Sequence, residues 1–335
     1  MSFADIPARS GLLYYPDSEP GISRRRAGTG FSYRAPDGTR IDRGAERDRI
    51  EGLGIPPAYE RVWISPMEMG HLQATGYDTR DRKQYRYHDD WTRLHSELKF
   101  DRLVDLVDTL PRLRRWIETR LRGEAGSFET ALAAALALID RAALRVGNEA
   151  YTQDNGSHGA TTLQNKHVSV DGGAIALDFI GKGGKRIEHA IHAPRLAAVL
   201  EECQDLPGAE ILSWQDDDGA VYAIRSEHIN ERIKELCGPD VTAKTLRTWA
   251  GTLAAFCAAR TTGPLTIKAM SEAASERLHN TPTVARNSYI HPAVVDLCEI
   301  DETEREGLFR RLEKTGDRTG LRAGEAELGA FLQTG

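Results

Sequence analysis

The segment from Phe128 to Val146 is the sequence feature that most constrains the fold of this chain. Residues 130–139 are ten in a row without a charge, so a helix formed there is apolar on every face. Such a helix has to be enclosed by other elements, because an all-round apolar surface is stable only in a core. Ser127 can cap its first turn and Gly147 follows its last. We therefore predict a buried helix that ends at Gly147 and carries Arg145 on its final turn.

The chain changes character near residue 95. Residues 1–95 contain closely spaced turn signals, such as Pro36-Asp37-Gly38, separated by short extended candidates and one helix candidate. From Trp91 onward, leucines recur at three- and four-residue spacings, which indicates helices. A chain of 335 residues that is 40% apolar can build two cores. We predict an α+β protein with a small β-rich N-terminal domain, residues 1–95, and a larger, mainly α-helical domain, residues 96–335.

Two hairpins in series are predicted inside the helical domain. The alternating segments are 166–170, 174–180 and 186–191, and glycines lie in the turns between them. They predict a three-stranded antiparallel sheet, with Lys182 at the tip of the second turn. That turn, Gly-Lys-Gly-Gly-Lys, is not a P-loop, because its spacing is wrong and a strand rather than a helix follows.

Composition excludes several classes of protein. The four cysteines are scattered without metal-ligand spacing, which argues against a disulfide framework or a zinc site. No apolar run approaches the length of a membrane span or a signal region, so a cytoplasmic protein with no membrane association is expected. The net charge of −6 does not indicate a nucleic-acid binder. Residues 241–292, however, hold six basic against two acidic side chains, which is compatible with one positive face or with chance.

The stretch from Leu278 to Pro292 places Tyr289 near the end of a short predicted helix, residues 282–290. Asn280 can cap that helix and Pro282 can occupy its first turn. Taken alone, this pattern is more typical of a packing tyrosine on an ordinary capped helix. A hairpin lysine and a Lys-x-x-Arg pair on a helix are equally ordinary when each is considered by itself.

These residues are ordinary one by one, but their order along the chain is specific. In this order they resemble the poxvirus-type DNA topoisomerases IB, in particular their bacterial branch. The ordered set is Arg145, Lys182, Lys244-x-x-Arg247, Asn280 and Tyr289. The resemblance also includes the segments 20–26, 81–87, 144–148, 162–167 and 244–248.

This resemblance implies a DNA-cleaving enzyme that acts on double-stranded DNA. Tyr289 would attack a phosphodiester, form a 3′-phosphotyrosyl bond and free a 5′-hydroxyl. Arg145 and Arg247 would bind the non-bridging oxygens, and Lys182 would protonate the leaving oxygen with assistance from Lys244. The broken strand would then rotate and be resealed, so that positive and negative supercoils relax without ATP, metal or any cofactor.

The chemistry of phosphoryl transfer requires the same residue types. A transferring phosphoryl group needs positive charge at its equatorial oxygens, and two guanidiniums supply it. Clustered cations favour the ionised form of a phenol, whose ordinary pKa is about 10, and a basic leaving alkoxide needs a proton donor. Asn280 stands where the poxvirus enzymes have histidine. Its amide can hydrogen-bond a phosphate oxygen without adding charge, and whether the neighbouring His279 replaces it stays open.

The resemblance further assigns DNA contacts to Gln84, Tyr85, Tyr87 and Tyr151. In a strand, Tyr85 and Tyr87 share one face, where rings beside cations can lie against a nucleic-acid backbone. The basic cluster 24–26 can contact phosphates or form a solvated loop. The expected enzyme is a monomer associated with the nucleoid.

The nearest alternative is a tyrosine recombinase, which uses the same nucleophile. Recombinases typically have His-x-x-Arg where this chain has Lys244-x-x-Arg247, and a Gly-His pair where it has His279-Asn280. Their N-terminal arms are usually helical, whereas residues 1–95 are predicted to be β-rich. A catalytically silent DNA clamp is the alternative from another class. It is disfavoured because each position needed for the chemistry holds a competent side chain.

Overall fold

The computed structural model describes residues 11–334 apart from residues 207 and 262, and for residues 150 and 151 it describes the main chain only. The chain divides into two compact units, Met1–Lys99 and Phe100–Gly335. The first is β-rich and the second mainly helical with a small antiparallel sheet, so the predicted α+β class is confirmed.

The first unit contains a six-stranded antiparallel sheet in the order β3-β2-β1-β4-β5-β6. Its core is apolar, and helix α1 (Ala45–Gly52) contributes the buried Ile50 to it. The strands are β1 (Ile22–Ala27), β2 (Gly30–Arg34), β3 (Arg40–Ile41), β4 (Glu60–Ile64), β5 (Leu72–Tyr77) and β6 (Lys83–Tyr87).

The basic cluster 24–26 lies on strand β1, so its interpretation as a solvated loop is wrong. Arg24 donates hydrogen bonds to the main-chain oxygens of Ile55 at 3.0 Å, Pro56 at 2.9 Å and Tyr59 at 2.7 Å. These bonds hold the segment that precedes β4 against the sheet. Arg24 therefore stabilises the sheet, which the sequence did not reveal.

From residue 89 onward the chain is mainly helical. The helices are α2 (Asp89–Arg120), α3 (Phe128–Ala142), α4 (Glu149–Asn155), α5 (Pro194–Gln204), α6 (Ser226–Cys237), α7 (Ala243–Ala258), α8 (Ile267–Leu278), α9 (Pro282–Tyr289), α10 (Pro292–Val295), α11 (Glu302–Leu312) and α12 (Glu325–Thr334). Helix α3 is the predicted core helix, since each of its residues from Thr130 to Asp140 is buried.

The end of α3 differs from the prediction. The helix stops at Ala142 because Ala143 adopts a left-handed conformation with φ 49°. Arg145 is therefore not on a last helical turn, and the prediction that the helix runs on to Gly147 is wrong. The sequence gives no sign of this stop, since alanine is a strong helix former.

The predicted three-stranded antiparallel sheet is confirmed, in the order β7 (Val168–Asp171), β8 (Ala174–Ile180) and β9 (Arg186–His192). Strand β7 begins two residues later than predicted because residues 165–167 form a 3₁₀ turn. A second hairpin, β10 (Ser213–Gln215) and β11 (Val221–Ala223), was not predicted. Asp216 closes its turn, because its carboxylate accepts main-chain N–H groups from Asp218 at 3.1 Å and Ala220 at 2.8 Å.

Candidate active site

The turn between α8 and α9 presents the tyrosine and the asparagine singled out in the sequence. His279 ends α8 in a left-handed conformation, with φ 52°. Thr281 caps α9, because its hydroxyl accepts the Val284 N–H at 3.3 Å. The prediction that Asn280 caps this helix is therefore wrong. His279 ends α8 one position before Asn280, and the next helix is capped by Thr281. The Asn280 side chain therefore makes no capping hydrogen bond.

The Asn280 side chain is buried, with 7% of the residue exposed. Neither its amide oxygen nor its amide nitrogen has a hydrogen-bond partner among the described residues. Leaving a buried polar group unpaired destabilises a fold by about 1–3 kcal/mol, so such groups are few in native proteins. An amide in this state can accept or donate a hydrogen bond when a ligand arrives.

Arg247 lies on α7 and is also buried, with 4% of the residue exposed. Its Nη1 donates to the main-chain oxygen of Ala143, and its Nη2 donates to that of Leu278 at 3.0 Å. Its Nε has no hydrogen-bond partner among the described residues. The Arg247 Cζ lies 5.5 Å from the centroid of the Tyr289 ring. Two carbonyl groups thus hold the guanidinium beside the phenol, with N–H donors to spare.

Burial and the charge of Arg145 together lower the pKa of Arg247 to about 10, although Tyr289 opposes the shift. Arg247 therefore remains charged at neutral pH, but its charge is less stable than that of an exposed arginine. The guanidiniums of Arg145 and Arg247 repel each other, and Arg247 is buried. An anion bound between them would stabilise both charges. A phosphate group has the charge and the acceptor geometry for that role.

Three of the four carbonyl groups from residue 140 to 143, at the end of α3, accept hydrogen bonds from arginine side chains. A helix C-terminus leaves such carbonyls unpaired and favours cations, so this arrangement replaces the missing next turn. The pairs are Arg322 Nη1 with Asp140 O at 2.8 Å, Arg277 Nη2 with Arg141 O at 2.8 Å, and Arg247 Nη1 with Ala143 O.

Arg145 follows in the extended segment after α3 and is half-buried. Its main-chain oxygen accepts the Ala160 N–H at 2.8 Å, and the Thr161 N–H donates to Val146 O at 2.7 Å. A Cβ on Gly159 would lie 2.7 Å from the Arg145 oxygen, so only glycine allows this close approach. The Arg145 guanidinium has no hydrogen bond or ion pair with any residue that the structure describes. The main chain at Arg145 is therefore fixed, while its guanidinium is free to bind an anion.

The β8–β9 turn holds two lysines. Lys182 is exposed, whereas Lys185 donates from Nζ to the main-chain oxygen of Asn280 at 2.9 Å. The His158 N–H donates to Ile180 O at 2.7 Å, which ties the end of β8 to the loop that supports Arg145. One side-chain and one main-chain hydrogen bond therefore join the hairpin that carries Lys182 to the Asn280 turn and to the loop that supports Arg145.

The predicted residues divide into two groups. Arg247 lies beside the Tyr289 ring and within electrostatic range of Arg145, and Asn280 is joined to the hairpin through Lys185. Lys182 and Lys244 are exposed, and in the described part of the chain neither makes a hydrogen bond or ion pair with Tyr289. Lys244 occupies the first turn of α7, one turn before Arg247.

His279 does not supply a second positive charge at this site. Burial, with the charges of His189, Arg247 and Arg277, lowers the pKa of His279 to about 4. Its ring lies edge-on to that of His189, with 5.0 Å between centroids. At physiological pH the ring is neutral.

Comparisons with known proteins decide the family. The model of the catalytic core of eukaryotic DNA topoisomerase I matches residues 88–286, more than half of the chain. The chain belongs to the type IB DNA topoisomerases. It is therefore a DNA-binding isomerase, as the resemblance implied. The model of the N-terminal domain of bacterial DNA topoisomerase IB matches residues 30–78, which supports the bacterial, poxvirus-type branch.

Individual relatives agree with this family. DNA topoisomerase 1B of Acanthamoeba polyphaga mimivirus is 27% identical over 294 residues, which cover 83% of this chain and 88% of the viral protein. DNA topoisomerase 1B of vaccinia virus, strain Copenhagen, is 23% identical over 250 residues, or 72% of this chain and 76% of the relative. DNA topoisomerase 1 of Daucus carota is 27% identical over 153 residues, which cover 45% of this chain and 18% of the plant protein.

In the first unit of this topoisomerase IB, the predicted DNA-contacting tyrosines are on the surface. Tyr85 and Tyr87 are 51% and 41% exposed, and their rings are nearly parallel with centroids 6.1 Å apart. Gln84 donates to the carboxylate of Asp78 at 3.1 Å. The side chain of Tyr151 lies outside the described part of the structure. Within that part, no helix is long and apolar enough to cross a membrane, and no cluster of His, Cys, Asp or Glu could hold a metal.

Sequence reasoning missed three residues that support the site. Lys185 and Arg277 contact main-chain oxygens of distant segments, and Thr252 contacts the main chain at Tyr289. A second lysine in the Gly-Lys-Gly-Gly-Lys turn was a signal for Lys185, but nothing local in the sequence pointed to Arg277 or Thr252.

Proposed function

We propose that this type IB topoisomerase nicks one strand of duplex DNA with Tyr289 as the nucleophile. The phenolic oxygen attacks the phosphorus, a bond forms between them, and the bond from phosphorus to the 5′ oxygen breaks. The products are a 3′-phosphotyrosyl enzyme and a free 5′-hydroxyl. The observation that carries the proposal is the buried Arg247 guanidinium, held by two carbonyl groups beside the Tyr289 ring.

Arg145 and Arg247 bind the non-bridging oxygens in this proposal. Two adjacent guanidiniums, one of them buried, stabilise the charge that develops on those oxygens in the transition state. The unpaired amide of Asn280 adds a neutral hydrogen bond to the same phosphate. Because main-chain contacts already hold the Arg247 guanidinium and the backbone at Arg145 and Asn280, little reorganisation is needed when DNA binds.

Lys182 protonates the departing 5′ oxygen, and Lys244 assists in delivering that proton. Both lysines are exposed, which suits donors that exchange protons with solvent and reach a DNA strand lying over the site. Gly183 and Gly184, with φ 80° and 77°, give the Lys182 turn a conformation that other residues rarely adopt.

The phosphotyrosyl bond stores the energy of the broken phosphodiester, so resealing needs neither ATP nor a metal. The free 5′ end rotates about the intact strand, and the 5′-hydroxyl then attacks the phosphorus and releases Tyr289. Supercoils of both signs relax by this route. In the first unit, Tyr85, Tyr87 and Gln84 contact the DNA, as does Tyr151 in the second unit. One chain supplies every catalytic group, so we propose that it acts as a monomer on DNA of the nucleoid.

Incubation of supercoiled plasmid with the protein in EDTA, without ATP, tests the activity. We expect ladders of relaxed topoisomers from positively and from negatively supercoiled plasmid. Absence of relaxation at every ratio of protein to DNA would refute the proposal, and products of altered plasmid size would indicate a recombinase.

Tyr289→Phe tests the nucleophile, with Tyr222→Phe as a matched control. Tyr222 is an exposed tyrosine on β11 of the same unit, and its ring stacks on Trp214. We expect denaturing electrophoresis to detect the covalent protein–DNA adduct for the Tyr222 variant and not for the Tyr289 variant, with DNA binding kept in both. An adduct formed by Tyr289→Phe would mean that another residue is the nucleophile.

A further inference from the structure

The hydroxyl group of Thr252 bridges the two sides of the turn that follows Tyr289. Its Oγ1 donates a hydrogen bond to the Tyr289 main-chain oxygen at 3.1 Å and accepts one from the His291 N–H at 3.1 Å. A hydroxyl has one donor and can accept at the same time, so both bonds form together. Thr252 has no solvent exposure, so water does not compete for either bond.

The Tyr289 main-chain oxygen needs this partner. Tyr289 is the last residue of α9, where a carbonyl has no helical N–H to bind. Ile290 is extended, with φ −111° and ψ 127°, and His291 caps the next helix, which begins at Pro292. The chain therefore changes direction directly after Tyr289, and the Thr252 hydroxyl fixes that change.

Gly251, next to Thr252, allows the close approach on which this bridge depends. A Cβ at Gly251 would lie 2.9 Å from the Tyr289 main-chain oxygen, 3.1 Å from the Tyr289 Cβ and 2.7 Å from a methyl carbon of Leu278. The end of α9 thus packs directly on the backbone of α7. Any larger residue at position 251 would push the tyrosine away from that helix.

Helix α7 also carries Arg247. One rigid element therefore holds both the proposed phosphate-binding arginine and the two residues, Gly251 and Thr252, that contact Tyr289. We propose that Thr252 is a positioning residue for the transesterification, because it fixes the Tyr289 phenol relative to Arg247. This inference rests on the proposed role of Tyr289 as the nucleophile. Displacing a reacting group by about 1 Å can slow a reaction roughly 100-fold.

Thr252→Val tests the proposal, since valine has nearly the shape of threonine and lacks the hydroxyl. We expect the single-turnover rate of adduct formation on a suicide DNA substrate to fall about 10- to 100-fold. The Kd for DNA should change less than about twofold, because Thr252 is buried and contacts no ligand. Religation should slow to the same extent, since both directions share one transition state. Thr252→Ser, which keeps the hydroxyl, should restore most of the rate.

Thr248→Val is the matched control. Thr248 is equally buried on α7, but its hydroxyl donates within the helix, to the Lys244 main-chain oxygen at 3.0 Å. Its substitution should leave the cleavage rate within about threefold of the unmodified protein. If Thr252→Val is as fast as the control, or if both variants slow equally, the positioning role is wrong. If Thr252→Val fails to fold, Thr252→Ala and Thr252→Ser provide the same comparison, and equal rates in that pair would overturn the proposal.

Tyr289→Phe, measured in parallel, separates this inference from the function on which it rests. A persistent adduct in that variant would refute Tyr289 as nucleophile, and the positioning role with it. No adduct in Tyr289→Phe together with an unchanged rate in Thr252→Val would overturn the positioning role alone.

Discussion

The Nζ atom of Lys185 donates a hydrogen bond to the main-chain oxygen of Asn280, 2.9 Å away, across 95 residues of sequence. This bond joins the hairpin turn that carries Lys182 to the turn that carries Asn280. We expect Lys185→Met to slow DNA cleavage about tenfold, because a hydrogen bond from a charged group contributes about 1.5–3 kcal/mol and here orients the proposed acid. Single-turnover cleavage measures the effect. Lys234→Met, at an exposed lysine of α6, is the control, and equal rates in the two variants would show that the hairpin is held by other contacts.

Asn280 offers a direct test of phosphate binding. Asn280→Ala removes an amide that has no partner among the described residues, so the fold should keep or gain stability while cleavage slows. One lost neutral hydrogen bond in the transition state predicts a decrease of roughly 100- to 1,000-fold. Asn280→His, which restores a donor, should recover part of that rate. Cleavage rates of both variants on one suicide DNA substrate measure the loss and the recovery of activity. Thermal unfolding of each variant measures its stability. Lower stability with unchanged cleavage would instead make Asn280 a structural residue.

Asp140 is the centre of a buried ion-pair network near the end of α3, close in sequence to Arg145. Arg114 donates to its two carboxylate oxygens at 3.0 and 3.1 Å, and Arg322 pairs with the same group. Burial raises the pKa of Asp140, but the charges of Arg322 and Arg114 outweigh that effect and lower it overall. Asp140→Asn leaves the Arg322 guanidinium without its charge partner and leaves Arg114 with Glu325 alone, so it should destabilise the unit by about 3–5 kcal/mol.

The control for Asp140 is the exposed pair of Asp108 and Arg318, 2.8 Å apart. Asp108→Asn should change the free energy of unfolding by less than about 1 kcal/mol, because solvent screens an exposed pair. Chemical denaturation of both variants measures the difference. Similar losses would mean that the buried network is replaceable. Because the folded pKa of Asp140 is lowered, its contribution is present above the unfolded value and is lost as the pH falls through the folded pKa.

His279 should make stability depend on pH in a different range. Its folded pKa is about 4 and its ordinary value is 6.5, so the unfolded chain binds a proton that the folded chain does not. The stabilisation is therefore present above pH 6.5 and is lost as the pH falls from 6.5 toward 4. His279→Asn keeps a residue that tolerates the left-handed conformation and should flatten this slope. Unfolding temperatures from pH 7 to 4.5 test it, and the exposed His192→Asn should leave the slope unchanged.

Much of the fold was predictable because it depends on local patterns. The apolar run at 130–139 requires burial, and α3 is buried along that whole run. Glycine turns between alternating segments predicted the sheet of β7, β8 and β9. Strand β1 was missed because three consecutive arginines mask its alternation, and the hairpin of β10 and β11 was missed because each strand has only three residues. The partners of Arg24 lie 31 to 35 residues away, whereas those of Asp216 are main-chain groups of its own turn.

The sequence by itself determined the residue types and their order, Arg145, Lys182, Arg247, Asn280 and Tyr289, because phosphoryl transfer needs those side chains and a resemblance can be traced through them. Only the tertiary structure decided where α3 stops and which residue caps α9. Helix ends depend on which groups meet the unpaired carbonyls, and here those groups come from α7, α8 and the C-terminal segment. The contact of Thr252 with Tyr289 is likewise absent from any local pattern, because 37 residues separate them and packing alone brings them together.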